Sequence, residues 1–283
     1  MTPNHQPIGI FDSGVGGLTV LREFDRALPN ESVLYFGDTA RLPYGTRTAP
    51  EITDFVRDIL DWMADRGVKM ALMACNTSSA LALDLVRAEY DFPILGLIFP
   101  GARAAVKAGK RIGVIATPAT ANSGAYGDAM REIDPSVEVW EVGCPQFVPI
   151  VEGDRLQDAA TIATAREYIE PLIDRNIDTL VYGCTHYPHL AEIIRPIVGD
   201  QVTLIDPASH LVRATLRELD LLGLRATAPR QATQFYVSGV PSQFSELSSR
   251  WLGFRPQVHR VVFPSMSNPV DVHADRLLVN AEE

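Results

Sequence analysis

Cys75, in the stretch MACNTSSA, and Cys184, in LVYGCTHYPHL, each close an apolar, strand-like run and are followed at once by small polar residues. A cysteine inside a buried strand is ordinary core. At a strand's exit, ahead of a helix, it stands where α/β enzymes present reactive atoms. If two similar halves face each other, the two thiols enter one cleft from opposite sides. That pairing suits inversion of a stereocentre through a planar carbanion, with a base on one face and an acid on the other. A free thiol, with a pKa of about 8.5, can serve in either protonation state. A helix N-terminus just behind each cysteine is expected to favour the thiolate. Its N–H groups could also hold a substrate carboxylate.

Other residues bear on the same cleft. Asp12, in DSGVGG, reads either as a carboxylate lining the cleft or as a cap beside a glycine turn. Its repeat position, Ala116–Thr117, has no acid, and that asymmetry favours a specific role. His186, two residues beyond Cys184, could shuttle a proton or simply be hydrogen-bonded core. Glu152, in FVPIVEGDRL, reads on its own as a solvated loop charge. The Pro43–Tyr44–Gly45 loop could cover the cleft or be a plain turn. Cys184, His186 and His189 are close enough together to raise zinc, but they lack a clear fourth ligand or a paired C-x-x-C. Cys144 has no repeat counterpart and reads as structural. DSGVGG is not a phosphate loop.

Positioning these groups requires alternating strands and helices. Strands are expected at Ile8–Asp12, Ser32–Phe36, Val68–Ala74 and Ile94–Ile98, and helices at Gly17–Leu28, Pro50–Arg66 and Thr77–Tyr90. Such alternation implies parallel strands with crossover helices. The same order then recurs. IGIFDS resembles IGVIAT, DRGVKMALMACNT resembles DRNIDTLVYGCTH, and LIFPGA resembles LIDPAS, at offsets of 104, 109 and 107 residues. Three matches in one order suggest an internal duplication. The expected fold is α/β, with two similar doubly wound parallel-sheet domains related by a pseudo-twofold axis and the active site between them. One domain comprises residues 1–99 plus 210–283, its C-terminal part packing back through QATQFYVS, PSQFSELSSRWLGF and VHRVVF. The other is 100–209. From Pro264 onward the chain reads as a polar, loosely attached tail.

Composition narrows the function. The net charge of −10 and the scattered arginines argue against a phosphate-backbone binder. The N-terminus lacks the basic flank and apolar segment of a signal peptide. No run approaches the roughly 18 apolar residues of a membrane span. Three cysteines do not suggest a disulfide framework, so a reducing cytoplasm is expected.

The motifs IGIFDSGVGGLTV, YFGDTARLPYG, ACNTSSA, FVPIVEG and GCTHYP resemble, in order, those of the glutamate racemases within the cofactor-independent amino-acid racemase superfamily. The resemblance spans roughly Ile8 to Phe263. It implies interconversion of L- and D-glutamate without pyridoxal phosphate, metal or nucleotide, by a bacterial cytoplasmic homodimer supplying peptidoglycan synthesis. It implies that Cys75 deprotonates the D enantiomer and Cys184 the L. Asp12 would assist Cys75, and Glu152 and His186 would assist Cys184. Substrate contacts would fall on Asp12, Ser13, Tyr44, Gly45, Asn76, Thr77, Thr185 and His186, with Thr117 and Thr120 following from a more variable motif.

Two features depart from the family pattern. Gly153 follows Glu152 where many relatives carry a second acid, and LIDPASHL replaces a small-residue sequence. The regulation by a cell-wall precursor that some relatives tie to a long N-terminal extension is not expected. A sister racemase acting on aspartate, a hydantoin or another small carboxylate would share fold and cysteines. A catalytically silent amino-acid-binding protein would share only the cleft.

Overall fold

The computed structural model describes residues 3–267, so most of the tail expected from Pro264 lies outside the described residues. Among the described residues, ten strands form two sheets. The first takes β1 (Ile8–Asp12), β2 (Val33–Gly37), β3 (Met70–Met73) and β4 (Ile94–Gly96), and the second β5 (Arg111–Ala116), β6 (Glu138–Gly143), β7 (Thr179–Gly183) and β8 (Thr203–Ile205). β9 (Gln234–Val237) and β10 (Val258–Arg260) return to the first sheet, on the outer side of β2. All pairings are parallel. The second sheet runs β6-β5-β7-β8 and the first contains β2-β1-β3-β4. The repeat read from short motifs is therefore also a repeat of strand order, and the expected pair of parallel-sheet α/β domains is present.

The physical reason is legible in the strands. β1, β2, β3 and β7 are buried at every position, so they are near-continuous apolar runs covered by helices on both faces. Four apolar clusters result. One face of the first sheet packs on helices Leu18–Ala27 and Pro207–Leu221, the other on helix Ala49–Asp65. One face of the second packs on helices Ala159–Ile173 and Ala191–Val198, the other on Ile98–Ala108 and Ala125–Ile133. The divisions expected after residues 99 and 209 each fall in the first turn of a helix, Ile98–Ala108 and Pro207–Leu221.

Two expected elements differ. The single helix over Thr77–Tyr90 is two short ones, Asn76–Leu81 and Leu83–Val86, broken at Ala82. The Ser78 and Ser79 hydroxyls both bond the Cys75 carbonyl, and such local bonds compete with helix propagation. The strand expected over Ile94–Ile98 ends at Gly96, because Ile98 already opens the next helix. Among the described residues no helix is long and apolar enough to cross a membrane.

Candidate active site

Five strands, two from the first sheet and three from the second, converge at their carboxyl ends on one cavity of about 550 Å³. Asp12 is the last residue of β1, and Cys75 lies two residues past β3. Thr117, Cys144 and Cys184 each follow directly on β5, β6 and β7. This is the crevice at which open α/β sheets bind ligands, here walled by two sheets. Of the residues singled out from the sequence, Asp12, Ser13, Tyr44, Gly45, Cys75, Asn76, Thr77, Thr117, Glu152, Cys184, Thr185 and His186 all line it. Thr120 does not. Its buried hydroxyl bonds those of Thr77 and Thr117 from behind.

On the first-sheet wall, both readings of Asp12 hold, one for each oxygen. Oδ2 accepts from the Gly17 and Gly14 backbone N–H groups at 2.8 and 3.2 Å, as a turn cap would. Oδ1 is buried with no hydrogen-bond partner among the described residues. Gly17 must be glycine for this turn, since a Cβ there would lie 2.6 Å from the Asp12 Cβ. Burial raises the Asp12 carboxyl, against the opposing charge of His186 and the backbone N–H groups. Cys75 is buried beside it, with Sγ 3.9 Å from the Ser13 hydroxyl. Burial, and after it the Asp12 charge, push the Cys75 thiol up to about 12. The expected preference for thiolate does not hold here, because desolvation outweighs the backbone N–H groups of its short helix.

The second-sheet wall is built differently. His186 Nδ1 sits 3.7 Å from Cys184 Sγ, and Nε2 sits 3.0 Å from Glu152 Oε1. Burial opposes a charge on His186, but hydrogen bonds to Cys184 and Glu152 together raise it to about 10. Glu152 is therefore the partner of a buried imidazolium, and the loop-charge reading is replaced. It ends a short helix, Phe147–Glu152, with Gly153 as its cap. The helix N-terminus expected directly behind Cys184 is absent. A 3-10 turn over Tyr187–Leu190 intervenes before the α-helix begins at Ala191.

The His189 ring stacks on Trp251 with centroids 4.4 Å apart. Among the described residues no three His, Cys, Asp or Glu side chains are placed to hold a metal ion.

The loop between β2 and helix Ala49–Asp65 supplies a third side through Leu42, Pro43, Tyr44, Gly45 and Thr46. The Tyr44 hydroxyl donates to Asp38 Oδ2, which also accepts from Arg41 Nε at 2.7 Å. The proton of that hydroxyl is thereby committed to holding the loop in place. Sequence reasoning missed the apolar wall of Cys144, Pro145, Val148 and Pro149. The available signal was GCPQFVP, directly behind β6 at the position where β5 and β7 present their own residues.

A family profile described as Asp/Glu/Hydantoin racemase matches residues 8–215. The chain belongs to that family. Within this racemase family the chain is 65% identical to the glutamate racemase of Nostoc sp. over 261 residues, covering 92% of this chain and 89% of the relative. It is 57% identical to that of Synechocystis sp. over 266 residues, covering 94% and 95%. The crystal structure of the Bacillus anthracis glutamate racemase isoform RacE1 superposes with a TM-score of 0.89 at 37% identity, covering 92% of this chain and 99% of that one. The Francisella tularensis glutamate racemase in complex with D-glutamate gives a TM-score of 0.86 at 36% identity, covering 92% and 98%. A Picrophilus torridus aspartate racemase, 20% identical with a TM-score of 0.52, shares the fold.

Proposed function

We propose that this racemase interconverts L- and D-glutamate by a two-thiol mechanism. The observation that carries the reading is the pairing of Cys75 and Cys184 from corresponding strand ends of the two sheets in one cavity. Their surroundings differ in a useful way. Cys75 is held as a thiol, with its proton ready for donation. Negative charge on the Cys184 sulfur finds the His186 imidazolium 3.7 Å away.

In the L-to-D direction, Cys184 sulfur forms a bond to the α-proton as the Cα–H bond breaks, leaving its electron pair in a planar carbanion. Cys75 S–H then delivers its proton to the opposite face, and its own bonding pair stays on sulfur. In the reverse direction the roles exchange. The free, buried Oδ1 of Asp12 is an acceptor suited to the substrate ammonium. Hydroxyl and amide groups of Ser13, Asn76, Thr77, Thr117 and Thr185 are donors suited to its carboxylates, with the Thr120 hydroxyl supporting those of Thr77 and Thr117 across the cleft.

The organisms of its relatives support a bacterial cytoplasmic setting, with D-glutamate supplied to peptidoglycan synthesis. A homodimer belongs to this reading and is checked by sedimentation velocity. That relatives matching nearly the whole chain are named glutamate racemases supports glutamate over aspartate or a hydantoin.

The test is incubation of L-glutamate in D2O, with circular dichroism following inversion and NMR following α-deuteration. Both signals should appear with wild type, and inversion should vanish in Cys75→Ala and Cys184→Ala. Turnover of aspartate alone would move the assignment to a sister racemase. Glutamate binding without exchange would favour the silent binder.

A further inference from the structure

Asn76 follows Cys75 directly and lines the cavity, yet its amide is held from the opposite domain. The Tyr126 hydroxyl donates to Asn76 Oδ1 at 2.7 Å, and both side chains are buried. Tyr126 lies in the first turn of helix Ala125–Ile133, and its ring is part of an apolar cluster on the second sheet. Burial, reinforced by Asp206, Glu141 and Cys184, raises this phenol well above its usual value. It therefore remains a proton donor at any working pH.

A primary amide has an accepting end and a donating end. With Oδ1 occupied by a hydroxyl proton, the other end, Nδ2, is fixed as the group offered elsewhere. The nearby contact of Thr77, Thr117 and Thr120 also bridges the domains, with oxygens 2.9 to 3.1 Å apart. Hydroxyls rotate and serve as donor or acceptor, so that contact joins the walls without setting a direction. The tyrosine–amide bond sets one.

We propose that Tyr126 is a positioning residue, which turns the Asn76 amide N–H2 toward the substrate carboxylate and does so only when the two domains are together. The inference rests on the glutamate racemase reading. Loss of the phenol would leave a buried amide oxygen unsatisfied and free the amide to turn over. Binding should suffer more than the proton transfers, which belong to the cysteines.

The test compares wild type, Tyr126→Phe, Asn76→Ala and the double variant in steady-state racemisation of L- and D-glutamate, with thermal melting of each. Tyr126→Phe keeps the ring and should raise KM about tenfold while kcat stays within about twofold. Because Tyr126 acts through Asn76, the double variant should be no worse than Asn76→Ala alone. Asn76→Asp keeps an acceptor for the phenol but replaces the amide donor with a carboxylate, so it should raise KM at least as far. A wild-type KM in Tyr126→Phe, effects that multiply in the double variant, or a wild-type KM in Asn76→Asp would each overturn the inference. Wild-type protein unable to racemise glutamate would overturn the functional reading and this inference together. Activity with independent effects would overturn this inference alone.

Discussion

Above pH ~7 a free imidazole is neutral, yet His186 keeps its proton up to about 10. Two partners hold it there against burial, the Cys184 sulfur and the Glu152 carboxylate. The folded pKa is raised above the unfolded one, so this group stabilises the fold fully below its unfolded value of 6.5 and loses that contribution as pH rises through about 10. Glu152→Gln keeps the hydrogen-bonding shape and removes the charge. Its alkaline limb in the pH profile of L-glutamate racemisation should move down by about one unit. The melting temperature should also begin to fall at lower pH than in wild type. An unchanged alkaline limb would show that Glu152 does not tune His186. The cysteines were readable in the sequence because their signal is local, a strand exit with polar followers. Glu152 was legible only through the family resemblance and not on its own, because its partner sits 34 positions away and only the fold joins them. Tyr126 was missed for the same reason, its contact with Asn76 spanning 50 positions and both sheets.

Elements were legible wherever one period ruled. The strands Ile8–Asp12 and Thr179–Gly183 and the helix Ala49–Asp65 follow from apolar runs and helical spacing, and in the structure a capping box of Thr48 and Glu51 fixes the start of that helix. The break at Ala82 was hidden, because it arises from serine hydroxyls turning back on the strand end and not from glycine or proline. Strand β6 carries a further consequence. Glu141 accepts from Gly127 N–H at 2.8 Å at the start of helix Ala125–Ile133, and its other oxygen is buried without a partner among the described residues. Burial raises this carboxyl to about 7, offset in part by that N–H group and by Arg131. The folded state thus binds a proton that the unfolded state has already released between pH 4.5 and about 7. Stability from this group is present at the acid end of that window and lost as pH rises through it. Glu141→Gln removes the titration and should flatten the decline of melting temperature between pH ~5 and ~8. An equal slope in both proteins would remove Glu141 from that role.

For the whole molecule, the decisive fact is how closely the two domains meet at Gly16. A Cβ at this position would lie 2.4 Å from Thr185 Oγ1 and 2.5 Å from His186 Nδ1. Both contacts are across the cleft, where the Thr19 hydroxyl also reaches the Thr185 carbonyl at 3.4 Å. Each sheet has its own pair of apolar clusters, so one methyl group at Gly16 need not disturb either domain. It should instead hold the walls apart. Misplacement by about 1 Å at a site that must bring two thiols to opposite faces of one carbon can lower the rate about a hundredfold. Gly16→Ala should therefore melt close to wild type without ligand and lose about that much in kcat/KM. Saturating D-glutamate, at about a hundred times its Kd, should stabilise wild type by about 2.7 kcal/mol and the variant by much less. Small-angle scattering should show a larger radius of gyration for the variant. If Gly16→Ala instead retained full activity and the full ligand-induced rise in melting temperature, the cavity would work without the close contact. Domain approach would then have to be set elsewhere, with the Thr77–Thr117–Thr120 hydroxyls the next contact to remove.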